Sequence, residues 1–383
     1  MRVENTYHIG LNAHLLSSQM SYRRAGIHTY LWGVLEQLPT LASAWQFTAM
    51  VGEGTPPPQP NLTVRRSRLN TARPLNRIAW EQFVQPWQLG EFDLVHEMAF
   101  VAPALMPRPF VVTVYDLTFI RFPERLPSTR RLYLQLMTRL TCQRAKRVIA
   151  ISNSTADDLV TFLNVPRAKI DLALPGIDPR FRPLPVSDVE AWRTQRGLPA
   201  RFFLCVCTLE PRKNLGTLIK AYAALPAADR ERVHLVLAGG KGWMYEEIDA
   251  LIAQHDLAAT VHRPGFVSDD DLVWWYNAAE AFVYPSSFEG WGMPITEAMA
   301  CGKPIIASNV SSLPEAVGDT GLLVAPHDVD AWTNALAHAL ADANWRQTAG
   351  ERARLRASGF TWRSTAQQTI ESYKKALGKS SQS

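Results

Sequence analysis

"AFVYPSSFEGWGMPITEAMACGKPIIASN", residues 281–309, reads as one strand–turn–helix–strand unit. Residues 281–285 form a short apolar run, and 304–307 (PIIA) form a second. Between them Pro294 suits the first position of a helix over 294–301, where its missing N–H is no loss. Gly290 and Gly292 lead into that helix start, where backbone has to pass close to a ligand. Glu289 stands in the loop and Glu297 in the first helical turn.

The same alternation runs outward in both directions. Towards the N-terminus of this half, strands are expected at 202–207 and 233–238, and beyond the quoted stretch at 321–324. Helices at 214–225, 243–255, 269–279 and 328–342 separate them. Residues 1–173 repeat the pattern, with strands at 7–12, 46–51, 92–96, 110–115 and 147–151 and helices at 26–38, 75–89, 127–144 and 154–163. Short β-rich runs alternating with amphipathic segments predict α/β architecture, parallel sheets covered by helices on both faces. The four-proline segment "LPGIDPRFRPLPVSD" (174–188) reads as an extended hinge, because proline fixes φ and lacks a donor. The expectation is two doubly wound Rossmann-like domains, 1–184 and 185–362, facing across a cleft. Residues 363–383 would form a C-terminal helix returning towards the first domain, with a frayed tail.

With 383 residues, 47% apolar and 20% charged, the chain is a globular protein large enough for two cores. It lacks an apolar run of membrane-spanning length, and its first residues lack the apolar core of a secretion signal. Four scattered cysteines without C-x-x-C spacing suit a reducing cytoplasm. The net charge of +5 is uneven: residues 1–185 carry 21 Lys and Arg against 13 Asp and Glu. Residues 121–147 alone hold eight basic residues and one acidic, with Leu, Tyr and Met interspersed. Such a surface suits peripheral contact with an anionic membrane or an acidic acceptor, or else a solvated helix face. No recognition-helix, zinc-finger or RNA-binding signature supports nucleic acid as a partner.

In open parallel sheets ligands bind beyond the carboxyl ends of the strands. Those positions carry "TLEPRKN" (208–214), "GGKG" (239–242) and "SSFEGWGMP" (286–294), and in the first half Asp116, "EMAF" (97–100) and "AHLLSSQMSYRRAG" (13–26). Arg212 and Lys213 precede Asn214, a good helix N-cap, so two cations and a positive helix end share one spot. That combination suits a diphosphate. Carboxylates at 289 and 297 suit the hydroxyls of a sugar and a ribose, although Glu297 alone also fits an ordinary first-turn glutamate.

The Glu289-x7-Glu297 pattern resembles the signature of glycosyltransferase family 4, retaining enzymes of the GT-B fold. "LEPRKNL" (209–215), 262–309 and "SSLPEAVGDTGLLVAPHD" (311–328) are similar to that family, as are "RIAWEQFVQPWQL" (77–89), "VVTVYDLTFIRFPE" (111–124) and "VIAISNSTADDL" (148–159). The resemblance implies that the 1–184 domain holds the acceptor and the 185–362 domain binds the nucleotide sugar, with Glu289 contacting the donor sugar, Glu297 the ribose, and Arg212 and Lys213 the diphosphate. Gly26, Gly239, Gly290, Trp291, Gly292, Met293 and Pro294 would line the donor. Two positions depart from the family pattern. Tyr115-Asp116 stands where His-Asp is common, and tyrosine cannot act as a base near neutral pH. Either Tyr115 positions the sugar, or Asp116 or His96 takes the polar role. His28 stands where a glycine is usual and is an acceptor-side candidate together with His96.

"SDDDL" (268–272) imitates an Asp-x-Asp metal site but reads as a helix cap on Ser268, and Ser154-x-x-Asp157 reads as another. "GGKG" is too short for a P-loop, and no histidine spacing suits zinc. Neither a metal nor another cofactor is expected; the nucleotide sugar is a substrate. The resemblance implies a hexosyl transfer, with GDP-mannose the favoured donor and UDP-hexose the alternative, onto a glycan or lipid-linked acceptor of a surface polysaccharide. Peripheral attachment at the inner face of the cytoplasmic membrane fits that role. A catalytically silent nucleotide-sugar-binding regulator and an epimerase of the same fold are the competing classes.

Overall fold

The computed structural model describes residues 6–17, 26–71, 73–240, 242 and 246–378. The chain divides into two compact units, Met1–Gly176 with Thr361–Ser383, and Ile177–Phe360. The first is built on β1 (His8–Asn12), β2 (Gln46–Val51), β3 (Leu62–Arg66), β4 (Leu94–Glu97), β5 (Phe110–Val114), β6 (Arg147–Ala150) and β7 (Ile170–Leu172). Their order in the sheet is β3-β2-β1-β4-β5-β6-β7. The second holds β8 (Phe202–Val206), β9 (His234–Ala238), β10 (Val261–Gly265), β11 (Ala281–Tyr284), β12 (Ile305–Ser308) and β13 (Leu322–Val324), ordered β10-β9-β8-β11-β12-β13. Every pairing is parallel.

Each sheet reverses its winding direction once, between β1 and β4 in the first and between β8 and β11 in the second. Diverging loops leave a crevice at such a point, which is where doubly wound sheets bind ligands. The central strands are apolar throughout: Phe110–Val114 and Ala281–Tyr284 are wholly buried. Burying each Val, Leu or Phe there contributes about 1.5–3 kcal/mol.

Helices cover the sheets by their apolar faces. The helix Ile27–Leu41 buries Leu31, Val34, Leu35 and Leu38 and packs against the helix Trp362–Ala376, which also lies over β5 to β7. The two approach so closely that a Cβ at Gly33 would lie 2.1 Å from the Trp362 ring. The helix Ser128–Arg144 is the exception. It buries only Thr138, Thr141 and Cys142, all in its second half.

Three strands escaped the sequence reading, and each has a local cause. β3 is an edge strand with a largely exposed pattern, β7 has three residues, and β10 carries Pro264 and a register shift between His262 and Gly265. Proline is confined to such edges because it cannot donate to a ladder. The helix expected over 75–89 is three pieces: α-helix Pro74–Ala79, π-helix Trp80–Val84 and a 3-10 turn Gln85–Gln88. The linker is extended only in part, since a helix starts at Val186. Ser268 caps its helix through the Asp271 N–H at 3.2 Å, as read. Ser154 does not cap: it lies inside Asn153–Leu163, and Ser152 accepts from the Thr155 N–H at 3.0 Å instead. Lys241, the start of the 243–255 helix, most of 13–26 beyond Ser17 and the tail after Gly378 lie outside the described residues.

Candidate active site

The second sheet brings 209–214 and 286–292 together at its switch point, because they follow the adjacent strands β8 and β11. Pro211–Lys213 makes one 3-10 turn, and backbone bonds lock it to the other loop: the Ser287 N–H donates to the Arg212 carbonyl at 2.9 Å. Asn214 corrects the expectation of a side-chain cap. It adopts a left-handed φ of 52° at the helix start, and its amide donates to the carbonyls of Pro285 (3.1 Å) and Pro326 (2.5 Å). It therefore ties three loops together.

Glu289 is the centre of the cluster. Its Oε1 accepts from Lys213 Nζ (2.5 Å), Ser286 Oγ (2.6 Å) and Tyr284 OH (3.1 Å), and its Oε2 lies 2.9 Å from Arg212 Nη1. Burial pushes the carboxyl upward, but Arg212 and Lys213 overcome this and hold it at about 2. Arg212 also contacts Glu210 (3.0 Å) and donates to the Phe288 carbonyl (2.5 Å). Burial opposes its charge, whereas Glu289 and Glu210 raise its pKa above the usual arginine value. Lys213 donates to Tyr284 OH at 2.9 Å, so two of its three N–H groups are committed. The cations are fixed by carboxylates before any ligand charge is met, which is the condition for electrostatic preorganisation. In this arrangement both oxygens of Glu289 are occupied, whereas the sequence reading had left them for a sugar.

Gly292 begins the helix Met293–Ala300 with φ 94°, a conformation glycine adopts without strain, and Pro294 lies in its first turn. Met293 and Pro294 are half-buried, as is Gly290. Trp291 is buried edge-on against Phe360, ring centroids 5.3 Å apart, and its indole N–H has no partner among the described residues. Glu297 Oε2 accepts from Tyr276 OH at 2.8 Å. Burial raises this carboxyl to about 7; the Tyr276 bond lowers it, while Asp269 and Asp178 push it further up. Gly239 has a reason within the fold: at φ 147° a Cβ would lie 1.8 Å from the Cys207 carbonyl oxygen. Tyr284, Ser286, Glu210 and Tyr276 were not singled out from the sequence. The signal for Tyr284 and Ser286 is that they end β11 and open the loop leading to Glu289.

The first unit treats its candidates differently. His96 sits in β4 with Nδ1 2.7 Å from Tyr373 OH and Nε2 2.7 Å from Thr113 Oγ1, and burial lowers it to about 3. Both nitrogens are engaged in the interior, so His96 is corrected from acceptor-side candidate to core residue. Tyr115 is likewise buried, its hydroxyl donating to the Met98 carbonyl at 2.7 Å. Burial, with Tyr30 behind it, raises its pKa well above the ordinary phenol value. Its hydroxyl is thus committed to the backbone inside this unit. Asp116 accepts from the Thr118 N–H at 2.8 Å and stays half-buried. His28 is buried and its Nδ1 accepts from the Ser17 N–H at 3.1 Å. Gly26 starts the helix Ile27–Leu41 at φ 78°, with open space where a Cβ would stand.

Residues 23–181 match the model described as Glycosyltransferase Family 4, and 188–356 match Glycosyl transferases group 1. The O-antigen chain mannosyltransferase B of Escherichia coli is 33% identical over 293 residues, 76% of this chain and 77% of that protein. The chain belongs to glycosyltransferase family 4. The serotype-specific mannosyltransferase WbdA of Escherichia coli is 30% identical over 279 residues, 71% of this chain but only 34% of that longer protein. Among solved structures, sucrose-phosphate synthase from Thermosynechococcus elongatus superposes with a TM-score of 0.78 at 24% identity, covering 97% of this chain and 99% of that one. The fold is thus GT-B, and this family 4 chain is a glycosyltransferase.

Proposed function

We propose that the chain transfers an α-mannosyl group, with retention, from GDP-mannose to a glycan or lipid-linked saccharide of a cell-surface polysaccharide. The Arg212–Glu289–Lys213 cluster at the β8/β11 switch point carries this reading, and the names of the two Escherichia coli relatives favour the sugar and the pathway. Arg212, Lys213 and the N-terminus of the helix Met293–Ala300 take up the charge that builds on the departing diphosphate. No step assigns that task to a metal. Glu289 fixes both cations and faces the donor hexose, and Glu297 takes the ribose hydroxyls. The acceptor oxygen bonds to C1 on the face from which the phosphate departs, and its proton passes to that phosphate oxygen. No protein nucleophile is needed.

A membrane-surface location belongs to the same proposal. Among the described residues no helix is long and apolar enough to cross a membrane. The helix Ser128–Arg144 instead exposes Leu132, Leu136 and Leu140 in one i, i+4, i+8 row, beside exposed Arg130, Arg139 and Arg144. Ala104 links this helix to the π-helix: its N–H donates to Gln82 Oε1 at 2.9 Å and its carbonyl accepts from Arg144. Phe83 (75% exposed), Trp87 (87%) and Leu105 (75%) lie on those neighbouring segments. Apolar side chains among arginines suit an anionic inner leaflet.

Incubation with radiolabelled GDP-mannose, UDP-glucose or dTDP-glucose and a mannose-terminated acceptor tests the function. An α-linked product from GDP-mannose alone is expected. A β-linked product, or transfer from UDP-glucose alone, overturns the proposal. Donor binding without transfer marks a silent regulator, and a new nucleotide sugar without acceptor marks an epimerase.

A further inference from the structure

We propose that Cys205 and Cys207 form a two-thiolate site for a soft monovalent ion of the copper(I) class, at the end of β8 next to the Lys213–Glu289 cluster, and that an ion bound there weakens the nucleotide site. The metal site stands apart from the transfer reaction. Its coupling to the nucleotide rests on the diphosphate reading of the cluster.

Strand geometry puts the two sulfurs on one side. Cys205 lies in β8, and Cys207 directly follows the last residue of that strand, Val206. Side chains two positions apart in a strand share a face, and here the sulfurs meet at 3.9 Å. The backbone fixes both of them. Cys205 stands in register with Leu237 of the neighbouring β9, and the Cys207 N–H donates to the Ala238 carbonyl at 3.0 Å. One turn further on, the Leu209 N–H donates to the Gly240 carbonyl at 3.0 Å.

The spacing is that of two ligands on one ion. Sulfurs about 2.3 Å from a shared metal lie about 3.8 Å apart at a tetrahedral angle. A disulfide needs them about 2.0 Å apart. A metal is therefore bridged with almost no movement, and a disulfide is not. Both residues are free thiols, Cys205 1% exposed and Cys207 8%. Cys207 keeps its small exposure at the carboxyl end of β8, the end that borders the crevice.

Ligand type selects the ion. Thiolates suit copper(I) and zinc among the common metals. Zinc takes three or four protein ligands, and among the described residues no group of three His, Cys, Asp or Glu is placed to hold a metal. Two sulfurs in a dry pocket are enough for copper(I). Cys142 and Cys301 are equally buried but stand singly in other elements, the first in the helix Ser128–Arg144 and the second at the end of Met293–Ala300.

Charge connects this pair to the cluster. The contact from Cys207, and then burial, raise the Cys205 thiol well above its ordinary value, while Lys213 acts in the other direction. Both protons therefore stay on sulfur until a soft ion displaces them. On binding, two S–H bonds break, two S–Cu bonds form, two protons leave to solvent and no electron moves. The neutral thiol pair and one copper(I) become a unit with one negative charge. Lys213 gives two of its three N–H groups to Glu289 and Tyr284, so the third is open to a thiolate. A negative charge beside Lys213 competes with the diphosphate for that cation and repels the diphosphate itself.

The test is anaerobic titration of the reduced full chain with copper(I) against a bicinchoninate competitor, with GDP binding by calorimetry in parallel. Wild type should hold one copper per chain, more tightly as pH rises, and X-ray absorption should show sulfur as the nearest shell. Cys205→Ala and Cys207→Ala should each weaken copper at least about a hundredfold, and Cys142→Ala should leave it unchanged. Copper-loaded wild type should bind GDP at least about tenfold more weakly than the copper-free chain, a difference absent in Cys207→Ala. Equal copper affinity in wild type and both variants overturns the site, as does a nearest shell of nitrogen or oxygen in wild type, a readout that does not depend on how the variants fold. Copper held by sulfur with GDP affinity unchanged overturns the coupling. Copper-free wild type that fails to bind GDP overturns the functional reading instead.

Discussion

Glu97 and Glu289 occupy comparable places, the first ending the fourth strand of its sheet and the second following the fourth strand of the other. Both are buried. Burial pushes both carboxyls upward, yet they end far apart, Glu97 at about 8 and Glu289 at about 2. Around Glu289 the donors include a guanidinium and an ammonium; around Glu97 they are the amides of Asn12 and Gln85, with Glu81 repelling from nearby. A switch point is therefore a location and not a chemistry. The residues delivered to it surround one buried carboxylate with cations and the other with neutral amides.

The largest effect should come from breaking the charged cluster. Arg212→Ala leaves the buried Glu289 carboxylate with Lys213 as its one cation and removes the cation that Glu210 contacts. Breaking a buried pair outright costs about 3–5 kcal/mol, which is the upper limit here because Lys213 remains. Urea unfolding followed by tryptophan fluorescence should show that loss, together with weaker GDP binding. An unchanged midpoint contradicts the cluster as drawn. Glu289→Gln keeps the shape and an oxygen facing Lys213, Ser286 and Tyr284 while losing the acceptor that meets Arg212, so the expected loss is in catalysis. Removing one preorganised electrostatic group costs about 100- to 1000-fold in turnover, with GDP affinity largely retained. A parallel fall in both would make Glu289 a binding residue only.

The pH dependence sharpens the contrast further. Glu97 has a folded pKa of about 8, above its ordinary 4.5. Its contribution is complete below 4.5 and is lost as pH rises through 8. Glu289 runs the other way, from 4.5 to about 2. Its contribution is complete above 4.5 and is lost as pH falls towards 2. Glu97→Gln should therefore reduce the fall in unfolding free energy between about pH 4.5 and 8, by up to about 1.4 kcal/mol per pH unit, and leave the acid limb unchanged. Buried Glu81 and Glu297, each raised to about 7, supply what remains of the fall. A fall of undiminished steepness in the variant refutes the assignment. Trp87→Ser should do least to the fold, within about 0.5 kcal/mol as for other exposed positions. Sedimentation with phosphatidylglycerol vesicles should nevertheless fall several-fold; undiminished vesicle binding moves the membrane face elsewhere.

The central strands were legible because a strand buried on both faces must be apolar, as in "FVVTV" and "AFVY". β3 was not, since "LTVRR" turns its charges to solvent and resembles a loop. At the β8/β11 crevice the sequence named Arg212, Lys213, Glu289 and Glu297, but the bonding among the first three was beyond it. That the carboxylate of Glu289 grips the two cations depends on β8 and β11 being neighbours, and pairing order is not written in either segment. The same holds for Asn214, which looks like a cap and serves as a clamp. His96 misled because a histidine at a strand's end has the same letters whether it faces solvent or, as here, Tyr373 some 277 positions away in sequence.

Calorimetric titration of the wild-type chain with GDP and with GMP, at pH 7 and fixed salt, bears most directly on the role given to Arg212 and Lys213. GDP should bind at least tenfold more tightly than GMP, because the second phosphate is the group those cations receive. Equal affinity for the two nucleotides would contradict a diphosphate at the β8/β11 switch point.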